Sequence, residues 1–266
     1  MDPVRNPFAP GAGNPPPELA GRSAVLDGIG VTLRRIALGK PAQSSILVGL
    51  RGVGKTVLLT RIDDTAQREA FKTLYIEAHE DKSLPELLVP GLRKILISLS
   101  LIELGRSSAR QALRVLSGFV RSIKMKVHDI DLELGIDPEI GAADSGDLEA
   151  DLPSLFLSIG RAAKSAGAPI VILIDEMQYL KKGIQRAHHG HPSHQPGDLP
   201  VTLVGAGLPQ ILGLAGDSKS YAERLFKYPK IGALDEHDAR DAILGPIEPV
   251  AEWVFGMCRD RSEIRP

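Results

Sequence analysis

The chain has 266 residues, 43% hydrophobic and 24% charged, the composition of a soluble globular protein with room for one large domain or two modest ones. Its 32 basic and 33 acidic residues leave a formal charge of −1, which excludes a global electrostatic attraction to nucleic acid or anionic lipid. A single cysteine, Cys258, excludes an internal disulfide framework, and with neither an N-terminal apolar leader nor a spanning stretch of about 20 residues the expected setting is cytoplasmic, with no membrane partner.

Residues 1–21 are rich in proline and glycine and read as an extended lead-in. In "GRSAVLDGIGVTLRRIALGK", Val25, Ile29, Leu33, Ile36 and Ala37 recur at helical spacing, and Gly39 suits a C-terminal cap. A strand, "SSILVG", then runs directly into "GLRGVGKT", residues 49–56, and the helical "VLLTRIDDTAQREAF" follows. The pattern G-x-x-x-x-G-K-[ST] between a strand and a helix is a phosphate-binding loop, in which backbone N–H groups converge on phosphate oxygens at a positive helix N-terminus. The expected nucleotide-binding set is Gly49, Leu50, Arg51, Gly52, Val53, Gly54, Lys55, Thr56 and Val57. Lys55 is placed to reach the β and γ phosphates as a mobile point charge, and the Thr56 hydroxyl to ligate magnesium.

"KTLYIEA" (72–78) reads as a second strand. The stretch from "LPELLVPGLRKILISLS" to "RVLSGFVRSI" carries apolar residues at helical spacing, with breaks expected near Pro90–Gly91 and Gly105, so it reads as two or three helices. "KVHDIDLELGID" alternates like a strand pair, and "GDLEADLPSLFLSIGRAAKSAG" returns to helix. "APIVILIDEMQYL" then has a continuous apolar run, Ile170 to Ile174, as expected of a strand covered on both faces, ending in Asp175 and Glu176. Asp175 is placed to hold the magnesium shell, and Glu176 to polarise the water that attacks the γ phosphate. Two adjacent acids also suit a solvated strand end, but a preceding phosphate loop makes the pair point to hydrolysis. Further strands are expected at "LPVTLVGAG" (199–207) and "KIGAL" (230–234), and alternation with helices argues for an α/β fold with a parallel sheet.

Taken in order, "ELAGR", "ILVGLRGVGKTVLL", "LIDEMQYL", "LPVTLVGAGLPQI" and "SYAERLF" resemble the bacterial AAA-type P-loop ATPases grouped with origin-recognition and initiator-loader ATPases, over about residues 6–250. The resemblance implies a P-loop core of the additional-strand, catalytic-glutamate type, followed by a helical lid. It implies that Gly21 and Arg22 lie in the linker that passes the adenine, and that Arg224 senses the γ phosphate in cis or in trans; a surface arginine is the alternative. Many relatives end the strand after the second motif with a polar residue that orients the attacking water. Here Gly205, Ala206 and Gly207 leave that role unassigned. The implied organisation is a lead-in over 1–21, a P-loop core over 22–235 with a helical insertion at about 83–166, and an incomplete lid or tail over 236–266.

One segment, 183–197, holds four of the seven histidines within seven positions. A zinc site built on His188, His189, His191 and His194 lacks cysteine and any usual ligand spacing, which favours an irregular surface loop. The resemblance implies an amphipathic helix at this place, and a third reading is a frame-shifted segment: one base out of register, residues 184–196 are compatible with a gene encoding E-F-S-A-L-I-M-A-I-H-R-I-S-Q.

The expected function is magnesium-dependent ATP binding and hydrolysis, driving a conformational change in a lid, a protein partner or a homo-oligomer. The absence of a base-reading N-K-x-D leans towards adenine over guanine. The alternatives are a nucleotide-dependent switch or DNA-associated initiator, which the neutral charge does not support, and an inactive fragment.

Overall fold

The computed structural model describes residue 8 and residues 19–123, 137–180, 199–214 and 226–247. It divides into two compact units, one of Met1–Gly28 with Gly232–Pro266 and the other of Ile29–Ile231. Most of the strand pair expected at 126–137, the histidine-rich segment 183–197, Arg224 and the tail from 248 lie outside the described residues.

Helix α1, Ser23–Ala37, buries Ile29, Thr32, Leu33 and Ile36, the stripe that the spacing predicts. Gly39 ends it at φ 66°, where its N–H donates to Ile36 O at 2.9 Å while Lys40 N donates to Arg35 O at 2.8 Å. This left-handed glycine satisfies the last carbonyls of the helix.

The larger unit is built on a parallel sheet. Strand β1 (Ser44–Gly49) is followed by α2 (Lys55–Arg68) and β2 (Lys72–Glu77), then by α3 (Leu84–Ser100), α4 (Arg106–Ser122) and α5 (Leu148–Ala166). Strand β3 (Ile170–Asp175), β4 (Val201–Gly207) and two short pieces, β5 (Phe226–Lys227) and β6 (Lys230–Ile231), complete it. The order across the sheet is β2-β3-β4-β1-β5, with β6 also on β1, and each pairing is parallel. Strand β4 therefore lies between β1 and β3, and the loops after β1 and β3 open at the same carboxyl edge of the sheet, where nucleotides bind in doubly wound folds. All six residues of β1 and of β3 are buried, as continuous apolar runs require when helices cover both faces.

Two expectations are corrected. Helix α3 is not broken at Pro90–Gly91 but runs through both residues. Burial of Val89, Leu92, Ile95 and Leu96 holds it together through the residue that cannot donate. Gly91 has a packing role instead, since a Cβ there would overlap the Leu74 side chain of β2. The edge beside β1 also differs from "KIGAL": within it only Lys230 and Ile231 are strand, β5 adds a piece before Tyr228 and Pro229, and Val48 N donates to Pro229 O at 2.9 Å between the two pieces. The break expected at Gly105 does occur, with α4 starting directly after it.

In the smaller unit, Arg22 Nη2 donates to Gly232 O at 2.6 Å. A nine-residue helix, α6 (Glu236–Leu244), is capped by Asp235, which accepts from Asp238 N at 2.8 Å. No residue of α6 is buried. Gly21, at φ 68°, lies against the Asp238 carboxylate, so closely that a Cβ would collide with it. Among the described residues, no helix is long and apolar enough to cross a membrane.

Candidate nucleotide site

The loop between β1 and α2 turns on three glycines that act for different reasons. Gly52 and Gly54 have φ 79° and 88° with open space where a Cβ would stand, so backbone conformation alone selects glycine. Gly49 has an ordinary φ, but a Cβ there would run into Ile231 O of β6 and stand 2.9 Å from Val53 Cγ2. Helix α2 begins directly after Gly54, so its unpaired first-turn N–H groups face the loop. Leu50 and Arg51 are exposed at the tip of the loop, and Val57 is half-buried in the first turn of α2.

Lys55 is only 6% exposed, and its ammonium donates to Gly49 O at 3.0 Å and Leu50 O at 2.7 Å. Burial pushes this ammonium below its ordinary pKa, while the Glu176 and Asp175 carboxylates pull it back up. The cation is thus tied to its own loop and faces the two acids at the end of β3.

Thr56 Oγ1 donates to Asp175 Oδ2 at 2.6 Å, so the hydroxyl and the carboxylate expected to share a metal are in contact across 119 residues of chain. Asp175 is 3% exposed, and its other oxygen accepts from Glu176 N at 2.8 Å. One hydroxyl and one carboxylate suit magnesium, which keeps several waters and takes remaining ligands from phosphate, better than they suit a closed protein cage. Glu176 adopts φ 52° and ψ 37°, a left-handed conformation rare for a residue with a side chain. The chain there leaves β3 abruptly and enters a single 3-10 turn, Met177–Tyr179.

Three further residues join the site without a signal in the sequence pattern. Gln178, 1% exposed, donates through Nε2 to Glu176 Oε2 and accepts through Oε1 from Leu208 N at 3.1 Å. The Tyr179 hydroxyl accepts from Arg51 Nη2 at 3.4 Å. The Tyr75 hydroxyl of β2 lies near Asp175, and burial, with the Asp175 charge adding, pushes its pKa up to about 12. An open cleft of about 540 Å³ adjoins these groups, lined by Arg51, Glu77, Ala78, His79, Glu80, Asp81, Glu176 and Tyr179.

Lys55, Thr56, Asp175 and Glu176 are therefore brought together. Gly21 and Arg22 belong to the smaller unit, and Arg224 lies outside the described residues.

A strand, a glycine loop and a buried lysine at a helix start, facing an aspartate at the end of a second parallel strand, define a P-loop nucleotide-binding fold. A family model described as AAA ATPase domain matches residues 18–188, and the chain belongs to that family. Among solved structures, Cdc6p from Pyrobaculum aerophilum is similar over 91% of this chain and 53% of that one, at 13% identity and a TM-score of 0.52. ORC1 from Aeropyrum pernix, solved in complex with DNA, matches over 92% of this chain and 53% of its own at 17% identity and a TM-score of 0.48. ORC2 from the same organism, in its ADP form, matches over 90% and 55% at 15% identity and a TM-score of 0.49. The chain spans about half the length of these structures. No curated protein matches the sequence.

Proposed function

We infer that this protein binds ATP with magnesium and hydrolyses the β–γ phosphoanhydride, using the cycle to move a lid or a partner. The observation that carries the reading is the 2.6 Å contact between Thr56 and Asp175 with Lys55 and Glu176 beside it, because it joins the ends of two separate strands into one site. Bound magnesium would neutralise phosphate charge and orient the terminal phosphate.

The chain's own residues divide the remaining work. The loop N–H groups and the α2 N-terminus hold phosphate oxygens, and the Lys55 side chain supplies a mobile point charge to them. Thr56 and Asp175 would hold the metal. Glu176, projecting from the end of β3 toward the open cleft, accepts a proton from the attacking water. Arg224 is proposed to act on the γ phosphate and Gly21 and Arg22 on the adenine side, both on the strength of the resemblance of their sequence stretches. A cytoplasmic location is part of the same reading.

Glu176→Gln separates binding from chemistry. The variant is expected to bind magnesium-ATP within about threefold of the parent while phosphate release slows roughly 100-fold or more, since a general base contributes on that scale. Titration of a fluorescent ATP analogue and a phosphate-release assay read the two quantities. Parental turnover in the variant, or binding and turnover lost in parallel, would remove Glu176 from the catalytic role.

A further inference from the structure

The end of β4 carries no polar side chain, and the structure shows what stands in that place. A Cβ on Gly205 would overlap the Met177 sulfur. On Gly207 it would stand 3.0 Å from Gln178 Oε1 and inside the envelope of the Ile211 side chain. The 3-10 turn after β3 therefore lies against the carboxyl end of β4 and fills the space that a side chain from β4 would use.

Gln178 is the polar group delivered there. It is 1% exposed, so both ends of its amide need partners, and both have one: Oε1 accepts from Leu208 N, the first residue after β4, and Nε2 donates to Glu176. Pairing with Leu208 N fixes which end of the amide faces the carboxylate, because an N–H cannot accept. The left-handed Glu176 backbone turns its side chain back onto the residue two positions later in the chain.

We propose that Gln178 is the positioning residue for Glu176: from the 3-10 turn it ties the carboxylate to the chain at the end of β4. The proposal rests on the assignment of Glu176 to water activation. A carboxylate held from one side by a buried amide presents its other oxygen in a fixed direction. The same link means that a shift at the end of β4 is felt at Glu176 without any contact between β4 and nucleotide.

The test uses Gln178→Glu and Gln178→Met, each in the parent and in the Glu176→Gln background. Gln178→Glu keeps the length and an oxygen for Leu208 N, but it replaces the amide N–H with a second carboxyl that meets Glu176 as a like charge or through a shared proton, so Gln178→Met decides where the two variants differ. Gln178→Met adds no charge and carries the test if the extra carboxylate unfolds the chain. In the parent background, kcat is expected to fall roughly 100-fold, the scale of a misdirected catalytic group, with KM and magnesium-ATP affinity within about threefold. In the Glu176→Gln background the same changes should cause no further loss, because the residue they position is already disabled.

An unchanged kcat in folded Gln178 variants, a kcat loss that tracks lost nucleotide binding, or an equal loss in both backgrounds would overturn the proposal. If Glu176→Gln alone turned over at the parental rate, the assignment of Glu176 would fail first and the proposal with it. That single variant distinguishes the two failures.

Discussion

Lys55→Ala is expected to weaken magnesium-ATP binding by about 30- to 150-fold, and the structure sets that range from two opposing contributions. Two unit charges about 4 Å apart attract by about 4 kcal/mol at an effective dielectric of about 20, the regime of a partly buried site. The ammonium is not idle beforehand, however: it donates to Gly49 O and Leu50 O at 3.0 and 2.7 Å. Turning to a phosphate gives up part of that, at about 1 kcal/mol net for each hydrogen bond. The remainder, about 2–3 kcal/mol, converts at about 1.4 kcal/mol per tenfold to the stated range. Calorimetric titration with magnesium-ATP reads it directly, and circular dichroism shows that the variant is folded. A folded variant whose affinity stays within threefold of the parent would refute the idea that this buried cation is a phosphate ligand.

Thr56→Ala removes the hydroxyl that meets Asp175 at 2.6 Å, and it should lower the gain in ATP affinity that magnesium provides by roughly tenfold while leaving affinity in EDTA unchanged. Titrations with and without the metal compare the two. At the start of α3, Glu86 accepts from Ser83 N at 2.6 Å and Ser83 Oγ at 2.7 Å, and these bonds hold its carboxyl below the ordinary glutamate pKa. Because the folded pKa is depressed, this pair stabilises the protein above the unfolded pKa of about 4.3 and the contribution is lost as pH falls through the folded value. Glu86→Gln should therefore flatten the fall in melting temperature below about pH 4.3, and Ser83→Ala should cost about 1 kcal/mol at neutral pH by denaturant titration.

Most of the candidate nucleotide site is legible in the sequence because local chemistry dictates it. A lysine and threonine after a glycine loop, and an acid pair after five apolar residues, are patterns that follow from phosphate geometry and strand burial. Gln178 was not legible, because its importance lies in where β4 sits relative to the turn after β3, and nothing in "DEMQYL" encodes that contact. Tyr75 escaped for the same reason: on β2 it reads as one more strand aromatic, and only the pairing of Glu77 with Asp175 shows that β2 runs beside that carboxylate. Pro90 misled in the opposite direction. A local breaker signal was overruled by the burial of the helix around it, which propensity does not see.

The helices between β2 and β3 have a thermodynamic consequence. Leu96 of α3, Leu116 of α4 and Leu155 of α5 share one continuous apolar cluster with Ile46, Leu74 and Ile172 of the sheet, and Gly91 lets Leu74 reach into α3. A helical layer that owns no separate core cannot melt by itself: opening it strips the sheet face, and opening the sheet strips the helices. Within this unit, then, the helical layer and the sheet form one cooperative folding block. A shortened chain lacking α3 and α4 would not be a smaller nucleotide-binding protein but one with an uncovered sheet.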